Sequence, residues 1–184
     1  MNYLKKPAVC IALTTLLSST LSWAGPDDFV NGPVIEAFGK IAPIESDMPL
    51  SKHDRFQVAF DVAKAAEAGE VNRKFDSVAR FINMNAAAGV KPKRIKTALI
   101  VHGGAAQDLT QSSIYAENHE GRENANEALI EALLANGTEI YLCGQTAAYY
   151  DIKASDLIPG VKMALSAMTA HALLQQDGYS LNPF

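Results

Sequence analysis

Two residues stand where a parallel α/β fold collects its chemistry. Cys143 follows the β-like run Glu139 to Leu142 and precedes Gly144-Gln145-Thr146, and His102 follows the apolar run Ile95 to Val101 and precedes Gly103-Gly104. In open parallel sheets, ligands and reactive groups gather at the carboxyl ends of the strands, where loops and helix N-termini converge. A cysteine there, with a glycine and a helix start behind it, lies near unpaired backbone N–H groups that favour the thiolate over the thiol. The chemistry this fits is that of a nucleophilic thiolate. His102 can hold or deprotonate the sulfur if the two strands are neighbours, because adjacent strands lie about 4.8 Å apart. The competing readings are structural: a small apolar cysteine buried at a strand end, and a histidine that bonds a loop.

Other motifs carry less. Gly103-Gly104 is followed neither by a Walker lysine nor by the full dinucleotide glycine spacing, so no nucleotide cofactor is expected. His102, Asp108, His119 and Cys143 are too scattered in sequence for a metal motif. His53 and His171 read as solvated or packed side chains, and Asp61, near the end of the first strand, faces either the strand-end pocket or solvent. The polar segment Gln111 to Asn124 is an exposed loop or a lid over the strand ends, and its length favours the lid.

The elements that must position these residues alternate along the chain. Arg55 to Val62 places Phe56, Val58, Phe60 and Val62 at period two, a strand. Asn72 is the expected cap of a helix bearing Phe75, Val78, Ala79 and Ile82 on one face and ending at Gly89 before Pro92. Ile95 to Val101 is a strand covered on both faces. Asn124 and Glu127 have capping-box spacing ahead of a helix with Leu129, Ile130, Leu133 and Leu134 buried, up to Gly137. Glu139 to Leu142 is the third strand, Gln145 to Tyr150 a short helix, and Val161 to Leu165 the fourth strand. Met168 to Asp177 is the last helix and Tyr179 to Leu181 the last strand. This β-α-β-α-β-α-β-α-β register predicts a three-layer α/β/α domain with a mainly parallel sheet of about five strands.

Composition sets the frame. The chain has 184 residues, 48% hydrophobic and 20% charged, which fits one domain. Sixteen Lys and Arg against twenty Asp and Glu leave no cationic excess for phosphate-backbone binding, so nucleic acid is not an expected partner. Lys5 and Lys6, the apolar stretch Ala8 to Leu21 and the small-x-small pattern Ser22-Trp23-Ala24 read as a cleavable signal peptide over residues 1–24. The stretch contains five Ser or Thr residues and is shorter than the roughly 20 apolar residues of a membrane span. Cleavage after Ala24 would remove Cys10 and leave Cys143 alone, a lone thiol with no internal disulfide partner. Residues 25–53 hold four prolines, Pro26, Pro33, Pro43 and Pro49, and form an arm; Val34, Ile35, Phe38, Ile41 and Ile44 predict that it lies against the domain, residues 54–184, or a neighbouring subunit.

From about Arg55 to Phe184 the chain resembles the DsrE/DsrF-like family, whose members have a YchN-like α/β/α fold and include sulfur-relay proteins. The resemblance rests on Val101-His102-Gly103, on Gly137-Thr138-Glu139-Ile140-Tyr141-Leu142-Cys143-Gly144-Gln145, on Leu157-Ile158-Pro159-Gly160-Val161 followed by Ala164 to Ala170, and on Leu174-Gln175-Gln176-Asp177-Gly178-Tyr179. It implies that Cys143 carries sulfur as a persulfide; the residues themselves add Gly103, Gly144 and Gln145 as the substrate loop and His102 as the group that orients the sulfur. Donor and acceptor proteins or small thiols are the implied partners, and a trimer-based homo-oligomer the implied assembly. With the export signal, the expectation is a periplasmic sulfur carrier, sulfurtransferase-like, in sulfur trafficking or oxidation. The alternative is a non-catalytic module binding a small ligand or partner at the same strand ends. Thiol hydrolase or peroxidase chemistry would need a strong base or a resolving cysteine.

Overall fold

In a computed structural model, residues 25–182 are described; the expected signal peptide, residues 1–24, lies outside them. Strand β1 (Phe56–Val62) is followed by helix α1 (Arg73–Ala87) and strand β2 (Ile95–Val101). Then come α2 (Ser112–Asn118), α3 (Glu127–Ala135), β3 (Glu139–Cys143) and α4 (Gly144–Tyr149). The short strand β4 (Lys162–Ala164), α5 (Ala167–Gln176) and β5 (Ser180–Asn182) complete the domain. Most boundaries fall within a residue or two of the expected ones. The expected mainly parallel sheet is parallel at every described pairing, with strand order β4-β3-β2-β1-β5.

That order explains the layers. From β1 to β4 the chain steps one way across the sheet, and right-handed crossovers keep its connecting helices on one face. The return from β4 to β5 spans the whole sheet and carries α5 over the other face. The buried residues divide accordingly. Phe75, Val78, Ala79 and Ile82 of α1 and Leu129, Ile130 and Leu133 of α3 pack on Phe60, Val62, Leu99, Val101, Ile140 and Leu142. Burial of each such large side chain contributes about 1.5–3 kcal/mol. On the second face Ala167, Ala170 and Leu174 of α5 pack on Ala59, Ala98, Ile100 and Cys143. The small alanines on both sides leave room for the helix to lie close to the strands.

Local signals behave as their chemistry requires, with two corrections. Asn72 caps α1 as expected, its side chain accepting from Lys74 N at 3.0 Å. Asn124 and Glu127 do not form a capping box, because Asn126 is the N-cap of α3; Asn124 Oδ1 accepts from Asn126 N at 3.0 Å, and the Glu127 carboxylate is engaged elsewhere. The buried Asn124 amide donates to Asp108 O and Thr110 O, and the Glu127 carboxylate accepts from Ser112 N and the Ser112 hydroxyl. Nor is Gln111 to Asn124 a free loop or lid. It contains α2 and is fixed at its start, where Gln111 N donates to Asp156 O at 2.9 Å and the Gln111 amide to Ser155 O and Leu157 O.

The proline-rich arm lies against its own domain. Asn83 of α1 accepts from Val34 N and Ile35 N and donates to Ile35 O, Phe38 O and Gly39 O. Ile35 and Ile41 are buried, and Val30 and Ile41 exchange an antiparallel pair of backbone hydrogen bonds. Among the described residues no helix is long and apolar enough to cross a membrane.

Candidate functional site

Cys143 is the last residue of β3 and the N-cap of α4. Its side chain is only 6% exposed and lies on the α5 face of the sheet. The Thr146 hydroxyl and the backbone N–H groups of Thr146, Ala167 and Gln145 surround the sulfur and favour its thiolate, while the Cys143 side chain accepts no capping hydrogen bond. Two of these N–H groups belong to the start of α4 and one to the start of α5, so the sulfur sits where two helix beginnings meet. Burial pushes the thiol up, and these groups more than offset it, leaving the thiol below the ordinary cysteine value.

The glycines of the sequence motif hold this cradle together. A Cβ on Gly144 would lie 2.6 Å from Ala164 O and 3.2 Å from Leu165 O, so only glycine lets α4 begin this close to β4. Gly103 has a φ of +55°, and its N–H donates to the Thr146 hydroxyl at 3.2 Å. The Thr146 hydroxyl is thus held from the loop after β2 and helps to lower the thiol at the end of β3. The Gln145 side chain donates to Leu165 O at 3.2 Å, tying α4 to the approach to α5.

His102 occupies the register position opposite Cys143. Val101 pairs with Leu142 as the last pair of the parallel ladder; Cys143 ends β3, and His102 is the residue just after β2. Both side chains belong to the sheet face of Ile100 and Tyr141, since side chains alternate along a strand. The imidazole hydrogen-bonds Asp61 rather than the sulfur, with Nε2 3.2 Å from Asp61 Oδ2. The other carboxylate oxygen, Oδ1, lies 2.7 Å from Nε2 of His171 on α5. Burial raises the Asp61 carboxyl, but the bonds from His171 and His102 and their charges outweigh it, so Asp61 ionises below the usual carboxylate range. Next to this row Tyr141 donates to Glu139 Oε2 at 2.6 Å, which with burial pushes its phenol up to about 12 and keeps it protonated at neutral pH.

The remaining candidates lie apart. Asp108 is buried among loops, accepting from Ala66 N and the Asn72 amide, and His119 stacks on Tyr115. His53 is exposed, its carbonyl accepting from Arg94. Among the described residues no group of three or more His, Cys, Asp or Glu side chains is arranged to hold a metal ion. A cavity of about 290 Å³ opens between Arg55, Phe56, Gln57, Lys93, Arg94 and Lys96, at the opposite edge of the sheet.

Sequence reasoning placed Cys143, His102 and the glycines at this edge but missed Thr146 and the pairing of Asp61 with His171. Thr146 carried a signal: a hydroxyl three residues after a strand-end cysteine can reach back to the residue capping the helix. The Asp61–His171 contact joins residues 110 positions apart, and only the passage of α5 across the sheet creates it.

An all-parallel α/β domain whose one cysteine among the described residues sits at a strand end is the class that fold and site define. The chain belongs to the DsrE/DsrF-like family, whose model matches residues 57–183. No curated protein matches it. Among solved structures it is similar to MTH1491 of Methanobacterium thermoautotrophicum, at 14% identity and TM-score 0.51, covering 70% of this chain and 99% of that one. It is also similar to the YchN protein of E. coli, at 18% identity and TM-score 0.51, covering 70% of this chain and 100% of the other. At these identities the likeness concerns the fold.

Proposed function

We propose that this protein is a sulfur carrier of sulfurtransferase type that holds sulfur as a persulfide on Cys143. The observation that carries the reading is the place of Cys143, at the end of β3 and the start of α4, where neighbouring hydroxyl and backbone N–H groups hold its thiol below the ordinary cysteine value. A thiolate is the form that takes the outer sulfur of a donor and that leaves when an acceptor attacks. Family membership adds support, because the DsrE-like family is associated with sulfur relay. Gly103, Gly144 and Gln145 fix the loops around the sulfur. The lysine-led apolar run and Ser22-Trp23-Ala24 support export, placing the carrier in the periplasm, in sulfur trafficking or oxidation with donor and acceptor proteins or small thiols. A trimer-based homo-oligomer belongs to the same proposal.

The test is intact mass before and after a polysulfide or thiosulfate donor and then a reductant, with Cys143→Ser alongside. The expected result is a reversible gain of one sulfur, about 32 Da, that the serine variant lacks. The second reading, a non-catalytic binding module, is favoured by the burial of Cys143. It would be adopted if no donor gives an adduct and the thiol resists alkylation until the protein unfolds.

A further inference from the structure

Transfer from a persulfide requires the acceptor thiol in its thiolate form. The surroundings of Cys143 favour the carrier's own thiolate but give the acceptor's proton no destination. We propose that His102 is the base that takes this proton, and that Asp61 and His171 are positioning residues that hold His102 ready for it; this rests on the persulfide reading.

The tautomers follow from burial. His171 Nδ1 is buried without a hydrogen-bond partner, the one such side-chain nitrogen or oxygen among the described residues. A proton there would be a buried unpaired donor, costing about 1–3 kcal/mol, so His171 keeps its proton on Nε2 and donates it to Asp61 Oδ1. Asp61 is then an ionised acceptor whose second oxygen takes a hydrogen bond from His102 Nε2–H. That fixes the His102 lone pair on Nδ1. His102 Nδ1 has no partner among the described residues and is not buried, so it is open to solvent, on a side chain 33% exposed. A carboxylate that sets the tautomer of a histidine and leaves its other nitrogen free is the arrangement of a general base. Its target is nearby, because His102 and Cys143 hold matching positions at the ends of adjacent strands and share a sheet face.

The step balances without an oxidant or reductant beyond the sulfur already loaded. The acceptor R–SH gives its proton to His102 Nδ1, and R–S⁻ attacks the outer sulfur of Cys143–S–SH. The new R–S bond forms as the S–S bond breaks, the outer sulfur leaves as R–S–SH, and the electron pair stays on Cys143 Sγ as a thiolate. The polar surroundings of Sγ at the start of α4 favour that charge. His102 then releases its proton to solvent.

The test loads the protein with persulfide, confirms one added sulfur by mass, and follows transfer to two small thiols at one pH, one mostly ionised and one mostly protonated. With His102→Gln, transfer to the protonated thiol is expected to fall about 100-fold, and to the ionised thiol less than about threefold. Asp61→Asn and His171→Ala should show the same selectivity with smaller losses, and His171→Gln, which retains a donor for Asp61, should restore the rate. Free imidazole should rescue His102→Ala with the protonated thiol alone. Equal losses for both thiols, or no loss, would overturn the assignment of His102 while leaving the persulfide reading intact. A wild-type protein that takes up no sulfur would overturn both.

Discussion

Thr146 decides how reactive Cys143 can be. It supplies the one side-chain hydroxyl among the groups that lower the Cys143 thiol, and the Gly103 N–H holds it in place from the loop after β2. Thr146→Val keeps the shape and removes the hydroxyl. A lost hydrogen bond to a charged group costs about 1.5–3 kcal/mol, so alkylation of Cys143 at neutral pH should slow about tenfold or more and its pH midpoint move up. The pH dependence of iodoacetamide labelling measures this, and an unchanged profile would mean that the backbone donors alone hold the thiolate. Gly144→Ala makes a different demand, since its Cβ would meet the Ala164 carbonyl at 2.6 Å. Because that contact is backbone, the variant should lose about 1–3 kcal/mol in urea unfolding. Cysteine and glycine were legible in the sequence because their types are tied to strand ends and tight turns. Thr146 was not, because a threonine at a helix start is ordinary until Gly103 N and Cys143 Sγ are found on either side of it.

Elements were legible where one local cause set them and illegible where two competed. The apolar run Ile95–Val101 became β2 with the expected limits, because a strand covered on both faces admits few polar residues. The spacing of Asn124 and Glu127 misled because Glu127 reaches Ser112 instead of turning back to Asn124, whose Oδ1 still accepts from Asn126 N at the start of α3. Gln111 to Asn124 looked free because the groups that fix it, Asp156 O, Ser155 O and Leu157 O, lie over forty residues downstream. The arm shows the same dependence on a distant partner, Asn83, whose single amide serves five backbone groups. Asn83→Ala leaves those groups without their partner, and a broken buried network of this kind costs about 2–4 kcal/mol. Hydrogen exchange at Val34 and Ile35 should quicken strongly, with a lower urea midpoint. Alkylation of Cys143 should keep its pH profile, because α1 and Cys143 lie on opposite faces of the sheet. A shift in that profile would show that the arm and the thiol are coupled through the core.

At the scale of the molecule, α5 is the helix among the described residues that covers the second face, and Asp61–His171 is a polar contact that ties its middle to β1. That contact gives the fold an acid dependence of definite sign. The folded Asp61 carboxyl ionises below its unfolded value, near 3.9, so in the intervening range the unfolded chain binds more protons and stability rises with pH. The contribution is fully present above the unfolded value and is lost as pH falls through the folded one. Asp108 runs the other way. Burial raises its carboxyl despite the bonds from the Asn72 amide and Ala66 N, so the folded chain holds that proton more tightly. Its contribution falls as pH rises from the unfolded value through the raised folded one. Asp61→Asn and Asp108→Asn each remove one titration, and urea unfolding from pH 3 to 7 separates them. The stability of wild type minus that of Asp61→Asn should grow with pH at the acid end and then level. For Asp108→Asn the difference should shrink as pH rises. If both differences moved the same way, one of the two carboxylates would have a surrounding other than the one described, and for Asp61 that would undo the tether between α5 and β1 on which the placing of His102 depends.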